Sequence, residues 1–213
     1  AQGAMGRLLD ADTDDLTLSP FMVFEIEDLM NLGDKNLIPV LTYLFHRIET
    51  SLDGTPTILV LDEAWIMLGH PIFRAKIREW LKVMRKANCA VILATQSLSD
   101  AKNSGILDVL AESCPTKIFL PNITAAQEAQ RELYVGMGLN ETQINIIARA
   151  TPKRDYYVVS PLGRRQVQLA LGPKTLAFVG SSDKESIARI QELAAEYGVG
   201  GWQYEWLRER GAA

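Results

Sequence analysis

Two adjacent carboxylates, Asp62 and Glu63, follow an apolar run in residues 57–65, TILVLDEAW. Residues 58–61 are uncharged and apolar, as is typical of a strand covered on both faces in a parallel sheet. Because ligands of open α/β sheets bind at the carboxyl ends of the strands, both acids are expected at a binding edge. The first acid can hold Mg²⁺ through water, and the second can orient or deprotonate an attacking water. The alternative interpretation is a strand that ends in two solvated acids.

A second apolar run also ends in polar residues, in VILATQS, where Thr95, Gln96 and Ser97 close the run. An amide at this place can contact the γ-phosphate of a nucleotide and the attacking water together, although a plain strand-end turn would use the same residue types. Strands that end in DE and TQS resemble the Walker B and glutamine-sensor strands of RecA-like motors. We therefore predict nucleotide hydrolysis, with Glu63 and Gln96 as catalytic residues and with Asp62 and Thr95 in contact with Mg²⁺ and the nucleotide.

The elements that must position these residues alternate along the first two thirds of the chain. Helical spacing and apolar runs predict, in order, a helix in NLIPVLTYLFHRIETSL, a strand in TILVLD, a helix in IFRAKIREWLKVMRKAN and a strand in CAVILATQ, then a helix in GILDVLAES and a strand in TKIFL. Strands separated by helices indicate parallel βαβ units. We expect an α/β fold with a mostly parallel, doubly wound sheet flanked by helices.

After Pro121 the pattern changes to three short β runs, DYYVVS, RRQVQLAL and TLAFVG, which PLG and GP separate. These turn signals predict antiparallel hairpins at the edge of the sheet. Since 213 residues suffice for one sizeable core, we expect a single domain over residues 1–213. Residues 122–213 form its C-terminal part.

Composition excludes several classes of function. A net charge of −4 argues against a chain that binds nucleic acid electrostatically as a whole, although a local basic face is allowed. With only two histidines, neither a His-rich metal site nor a Ser-His-Asp triad is favoured. The two cysteines adjoin apolar runs and are interpreted as reduced thiols of a cytoplasmic protein. No apolar run approaches the roughly 20 residues that span a bilayer.

The longer motifs resemble one family. They are GRLLDAD, FEIEDLM, PVLTYLFHRIE, DGTPTILVLDEAWIMLGHPIFRAKIREWLKVMRKANCAVILATQSLSD, SGILDVLAESCPTKIFLPN and ALGPKTLAFVG. They resemble the C-terminal motor domain of the TrbE conjugal-transfer ATPases, in the large ATPase family of type IV secretion systems. The resemblance covers nearly the whole chain. It implies a RecA-like domain, ATP with Mg²⁺, assembly into a homo-oligomer, often a hexamer, and a cytoplasmic position peripheral to the bacterial inner membrane among other secretion subunits.

One family feature has no counterpart in these 213 residues. A motor of this kind uses a G-x-x-x-x-G-K-[ST] loop to cradle phosphate, and no such string occurs; GPKT at Gly172 is interpreted as a turn. We therefore expect a segment that lies downstream of the Walker A loop and is inactive alone. Two alternatives stay open. One is a non-catalytic docking module of the secretion apparatus, and the other is a motor that pumps DNA or nucleoprotein, as the related HerA and FtsK motors move DNA.

Basic residues provide candidates for a subunit contact. Four of them share one face of a predicted helix: Arg74, Arg78, Lys82 and Arg85. A solvated face is the favoured interpretation for the first three. Arg85 precedes the strand that leads to Gln96 and is a candidate to stabilise transition-state charge in a neighbouring subunit. Arg164 and Arg165, in the hairpin SPLGRRQ, compete for the same role, and of these two Arg165 is the preferred candidate.

Overall fold

The computed structural model describes residues 19–26, 29 and 33–212, without the side chains of Trp65 and Ile66. The chain forms two compact units that meet between Cys114 and Pro115. This boundary precedes residue 122, where the C-terminal part was predicted to begin. The assignment of both units to one domain stays a prediction.

The first unit alternates helices and strands as its apolar spacing predicts. Its elements are α1 (Asp34–Ser51), β1 (Thr57–Leu61), α2 (Trp65–Gly69), α3 (Pro71–Val83), a 3₁₀ helix (Met84–Ala87), β2 (Cys89–Leu93), α4 (Leu98–Asn103) and α5 (Leu107–Ser113). Helix α3 starts where Pro71 takes its first turn and the ring nitrogen Nδ1 of His70 accepts a hydrogen bond from the backbone N–H of Ile72 at 3.3 Å. The 3₁₀ helix ends at Asn88, whose φ of 57° is left-handed.

Strands β1 and β2 are parallel and pair from Thr57 opposite Cys89 to Leu61 opposite Leu93. The predicted βαβ unit is confirmed by this pairing. The core beneath the sheet is dominated by aromatic side chains of α1 and α3. The ring centroid of Phe45 lies 5.6 Å from that of Phe73 and 4.4 Å from that of Trp80, and all three residues are buried. This packing fixes α3 under the strands and thereby sets where the chain enters β2.

The opposite face of the β1–β2 pair is not covered by described residues. Its side chains Ile58, Val60 and Ile92 are 68%, 58% and 52% exposed. The sequence predicted a strand covered on both faces, and in this structure that expectation is wrong for β1. An unbroken apolar run indicates that both faces suit an apolar neighbour, but it does not reveal which neighbour covers each face.

The second unit combines short helices with an antiparallel sheet. Its elements are β3 (Lys117–Phe119), α6 (Glu128–Gly136), α7 (Glu141–Arg149), β4 (Asp155–Ser160), β5 (Gly163–Gln168), α8 (Pro173–Val179), α9 (Lys184–Tyr197) and α10 (Trp202–Glu209). Strands β4 and β5 form the predicted hairpin, which turns at residues 161–162. Together the two sheets and their flanking helices confirm the α/β class.

Two elements of this unit differ from the sequence-based expectation. Strand β3 pairs antiparallel with β4 and does not extend the parallel sheet. TLAFVG, predicted as a β run, lies largely within helix α8, which Pro173 opens and Gly180 closes. The indole N–H of Trp206 donates to the carbonyl of Ala177 at 2.8 Å. This long-range contact fixes α8 against α10, and local β propensity does not register it.

Candidate functional site

Backbone hydrogen bonds hold the carboxyl ends of β1 and β2 side by side. The N–H of Ala94 donates to the carbonyl of Leu61 at 3.0 Å, and the N–H of Ala64 donates to the carbonyl of Ala94 at 3.0 Å. The pairing thus continues past both strand ends. Asp62 and Glu63 lie between these two bonds, and Gln96 follows two residues after Ala94.

The side chains of Glu63 and Gln96 meet at this edge. The amide Nε2 of Gln96 donates to Oε1 of Glu63 at 3.1 Å, and both residues are exposed. Glu63 has a left-handed backbone with φ of 48°, and its N–H donates to Oδ1 of Asp62 at 2.9 Å. A left-handed non-glycine residue is uncommon and is often found at a functional site. The turn therefore presents a carboxylate to solvent and bonds it to the amide of the neighbouring strand.

Thr95 is engaged within its own turn. Its hydroxyl oxygen accepts from the N–H of Ser97 at 3.4 Å and lies 3.3 Å from the carbonyl oxygen of Ser97. Ser97 in turn caps α4, where its hydroxyl oxygen accepts from the N–H of Ser99 at 3.1 Å. These bonds are those of a strand-end turn, the alternative interpretation of TQS. Nucleotide contact by Thr95 stays a prediction.

Asp62 can serve as a magnesium ligand by its chemistry and exposure. In the ranges that the structure describes, no three or more His, Cys, Asp or Glu side chains cluster around a metal site. Mg²⁺ does not need such a cluster, because it is commonly held by one or two carboxylates together with water and phosphate oxygens. Asp62 is exposed, and only its Oδ1 accepts from Glu63. A hard oxygen ligand at this position suits that ion.

The candidate arginines do not lie beside the acids of the strand edge. Arg85 is exposed in the 3₁₀ helix that precedes β2, at the amino end of the strand whose carboxyl end leads to Gln96. In the second unit, Nη1 of Arg164 donates to Oε1 of Gln143 at 3.1 Å, while Arg165 is exposed on β5. Gln143 also completes the capping box of α7, so Arg164 has a local structural partner. A role for Arg85 or Arg165 in another subunit stays a prediction.

Two basic residues of α3 have partners that the sequence did not reveal. Nη1 of Arg74 donates to the carbonyl of Ser104 at 2.6 Å, and Nη2 of Arg78 donates to the carbonyl of Gly105 at 2.5 Å. The interpretation of a solvated face is wrong for these two residues, although Lys82 on the same face is exposed. Charge spacing along one helix carries no signal for a backbone acceptor about thirty positions further on, where |i−j| is 30 and 27.

The expected reduced thiols are present, since Cys89 and Cys114 are both free. Burial raises the pKa of the Cys89 thiol, which keeps it protonated at neutral pH. Among the described helices, none has the combined length and apolar character needed to cross a bilayer.

Comparison with known proteins identifies the relatives of this chain. The profile of the TraG P-loop domain matches residues 1–166. Conjugal transfer protein TrbE of Rhizobium radiobacter is 63% identical over 99% of this chain and 26% of its own length. A probable conjugal transfer protein TrbE of Sinorhizobium fredii is 64% identical over 98% of this chain and 31% of its own length. The chain thus spans less than a third of either relative.

More distant matches agree with this assignment. Type IV secretion system protein virB4 of Bartonella henselae is 33% identical over 92% of this chain and 25% of its own length. The solved structure of VirB4 of Thermoanaerobacter pseudethanolicus superposes with a TM-score of 0.56 at 22% identity, over 70% of this chain and 41% of that one. This likeness confirms the predicted α/β fold. Since the profile covers well over half of the sequence, the chain belongs to the TraG P-loop domain family.

Proposed function

We propose that this chain is the hydrolytic part of a Mg-ATP-dependent ATPase that energises type IV secretion in conjugal transfer. The observation that carries the proposal is the Glu63–Gln96 pair, 3.1 Å apart at the carboxyl edge of the parallel strands, next to Asp62. The names of the relatives support the biological setting, because they are conjugal transfer and type IV secretion proteins. The motor moves a substrate or assembles a pilus.

The roles follow from the geometry of the three side chains. Gln96 binds one carboxylate oxygen of Glu63, which orients the group and leaves Oε2 outside that bond to accept a proton from water. Asp62 contributes a hard oxygen to Mg²⁺. When bound, the ion neutralises charge that develops on the phosphates. The exposure of Glu63 and Gln96 gives a nucleotide access to the edge.

Hydrolysis is proposed for a protein of the relatives' length, and not for these 213 residues alone. The chain spans 26% and 31% of the two TrbE relatives, and its sequence contains no G-x-x-x-x-G-K-[ST] string. Water can be positioned for attack only when the phosphates are held in place. We expect tight ATP binding and turnover only when a phosphate-binding loop is present together with these strands.

The assembly that we propose is a homo-oligomeric ring, a hexamer in the complete protein. It docks on other secretion subunits at the cytoplasmic side of the inner membrane, and its membrane contact is indirect. Exposed arginines support this assembly, because a ring can supply a guanidinium to the nucleotide of its neighbour. Arg85 and Arg165 are both exposed.

A non-catalytic docking module is the second candidate. The observation that favours it is the apolar sheet face of Ile58, Val60 and Ile92, which described residues leave exposed. Apolar patches of this kind often mark interaction sites. The two candidates differ in what they predict for Glu63, since a docking module does not require a carboxylate at the end of β1.

The test is nucleotide turnover by the complete ATPase with Glu63→Gln. Because glutamine keeps the shape but removes the base, we expect ATP binding to survive and kcat to fall by at least about 10²-fold. Asp62→Asn should instead weaken the dependence on Mg²⁺. Normal hydrolysis by Glu63→Gln would show that the base is misassigned. Turnover by the 213-residue chain alone, abolished by Glu63→Gln, would contradict the proposed division of the site.

A further inference from the structure

We propose that Arg74 and Arg78 are positioning residues for Gln96 and act through helix α4. The inference rests on the proposed function, in which Gln96 orients the Glu63 carboxylate. Three features carry it: the two arginine contacts at the C-terminal end of α4, the rigid geometry of that end, and the direct connection of its N-terminal end to Gln96.

The C-terminal end of α4 has the geometry of a Schellman motif. Gly105 follows the helix with φ of 68°, its N–H donates to the carbonyl of Lys102 at 3.0 Å, and the N–H of Ile106 donates to that of Ala101 at 3.3 Å. Ala101 and Ile106 are both fully buried. The backbone here is therefore fixed by local hydrogen bonds and by packing.

Both arginines of α3 bind this fixed end. Arg74 donates to the carbonyl of Ser104 at 2.6 Å and Arg78 to that of Gly105 at 2.5 Å. These carbonyls lie just beyond the last residue of α4, at the negative end of the helix dipole, where a guanidinium is favourable. Hydrogen bonds from a charged donor are shorter and stronger than neutral ones. The contacts thus attach the far end of α4 to α3.

The near end of α4 begins immediately after Gln96. Ser97 caps the helix through the N–H of Ser99, and Thr95 closes the turn around Gln96 through the N–H of Ser97. Because α4 is only six residues long, a tilt at its C-terminal end is transmitted to this turn. The side-chain amide of Gln96 then moves relative to the carboxylate of Glu63.

The contacts also close a circuit between the two halves of the site. From Glu63 the chain runs through α2 into α3, which carries Arg74 and Arg78. The arginines bind the end of α4, and α4 leads back to Gln96, which donates to Glu63. Removing the arginines opens this circuit on the Gln96 side, while strand pairing keeps the Glu63 side in place.

The first test follows the Gln96 side-chain amide by NMR in the 213-residue chain, with its signal assigned by its loss in Gln96→Ala. We expect the combined Arg74→Met and Arg78→Met variant to speed hydrogen exchange of this amide about fivefold, as the loss of one hydrogen bond predicts. Lys82→Met, a matched change on the same helix face, should leave it unchanged. Unaltered exchange in the arginine variant overturns the inference.

Arg74→Lys and Arg78→Lys serve if the methionine variant does not fold. Lysine keeps the charge and a donor but loses the planar fork of guanidinium, so exchange should rise by less than in the methionine variant. No change in either lysine variant, or an equal change in Lys82→Met, would show that the arginines do not act on Gln96.

The second test is a double-mutant cycle for ATP turnover in the complete protein. Arg74→Met should lower kcat about tenfold with KM for Mg-ATP within a factor of about two, because it disturbs orientation and not substrate binding. In a Gln96→Ala background the same change should have little further effect. An equal loss in both backgrounds indicates a general structural role and overturns the proposal. Absence of turnover in the wild type would refute the proposed function, whereas the amide measurement would still decide whether the arginines position Gln96.

Discussion

Glu63 combines a proposed chemical role with an unfavourable backbone conformation. Its φ of 48° lies in the left-handed region, which costs an L-residue roughly 1–2 kcal/mol and which glycine adopts freely. The turn is held by the bond from its N–H to Asp62 and by the pairing of Ala64 with Ala94. The conformation directs the carboxylate toward Gln96, so we infer that stability is sacrificed here for the arrangement of the site.

This conformation predicts an unusual order of stability at position 63. We expect Glu63→Gly to exceed Glu63→Ala in free energy of unfolding by about 1 kcal/mol, because glycine relieves the backbone and alanine does not. Both variants lose the bond to Gln96, so their comparison isolates the backbone term. Urea denaturation of the 213-residue chain measures the difference. A less stable glycine variant would mean that the left-handed turn carries no strain.

At the residue scale the sequence predicted which polar groups meet. The pattern of two apolar runs ending in DE and TQS placed Glu63 and Gln96 at neighbouring strand ends, and the structure brings their side chains to 3.1 Å. The partners of Arg74 and Arg78 were not predictable. Their acceptors are backbone carbonyls, and every residue in the chain offers one.

Helices α1 and α3 are joined by a small polar cluster above their aromatic contact. The indole N–H of Trp80 donates to Oε1 of Glu49 at 2.6 Å, and Nζ of Lys76 lies 2.6 Å from the same oxygen. Burial raises the pKa of the Glu49 carboxyl, but the bonds from Lys76 and Trp80 lower it more and leave it below its ordinary value of 4.5. The bond to Glu49 raises the pKa of Lys76.

These shifts predict a pH dependence of the contact between α1 and α3. A lowered pKa in the folded state means that Glu49 stabilises the fold above its ordinary pKa and loses this effect as pH falls through the folded value. Glu49→Gln should therefore be less stable than wild type at neutral pH, and the difference should shrink in acid. We expect under about 1 kcal/mol, since the Glu49 side chain is 31% exposed.

The measurement is the free energy of unfolding of both proteins between about pH 3 and pH 8, the range that covers the titration of a carboxyl group. Trp80→Phe is the matched control, because it keeps the ring packing and removes one donor to Glu49. It should reduce the acid-sensitive part without abolishing it. A difference between wild type and Glu49→Gln that does not vary with pH would contradict the assignment.

At the scale of elements, helices with a strong apolar stripe were predictable and short elements were not. Helix α3 buries Phe73, Ile77 and Trp80 at helical spacing, as the sequence indicates. Helix α8 has β-branched and aromatic residues but is opened by a proline and held by Trp206. A short apolar run does not determine its own secondary structure, so tertiary contacts decide it.

For the whole molecule, the parallel pair β1–β2 separates the proposed subunit contact from the proposed site. Arg85 precedes the amino end of β2, and Gln96 follows its carboxyl end. A five-residue strand is about 16 Å long, so the arginine lies far from Glu63 along its own strand. The sequence could not reveal this separation as a distance. It favours a contribution by Arg85 to the site of a neighbouring subunit over one to its own.

A mixed oligomer of the complete ATPase tests that contribution. Arg85→Ala should cripple turnover with little loss of nucleotide binding, because the guanidinium acts chiefly on charge that develops as the γ-phosphate leaves. Subunits with Arg85→Ala and subunits with Glu63→Gln are each expected to be inactive, yet in a mixed ring some interfaces pair an intact Glu63 with an intact Arg85. Activity should therefore partly return on mixing. If the mixture stays inactive while subunit exchange is verified, Arg85 does not act across the interface, and the same experiment applies to Arg165, whose exposed position on β5 makes it the next candidate.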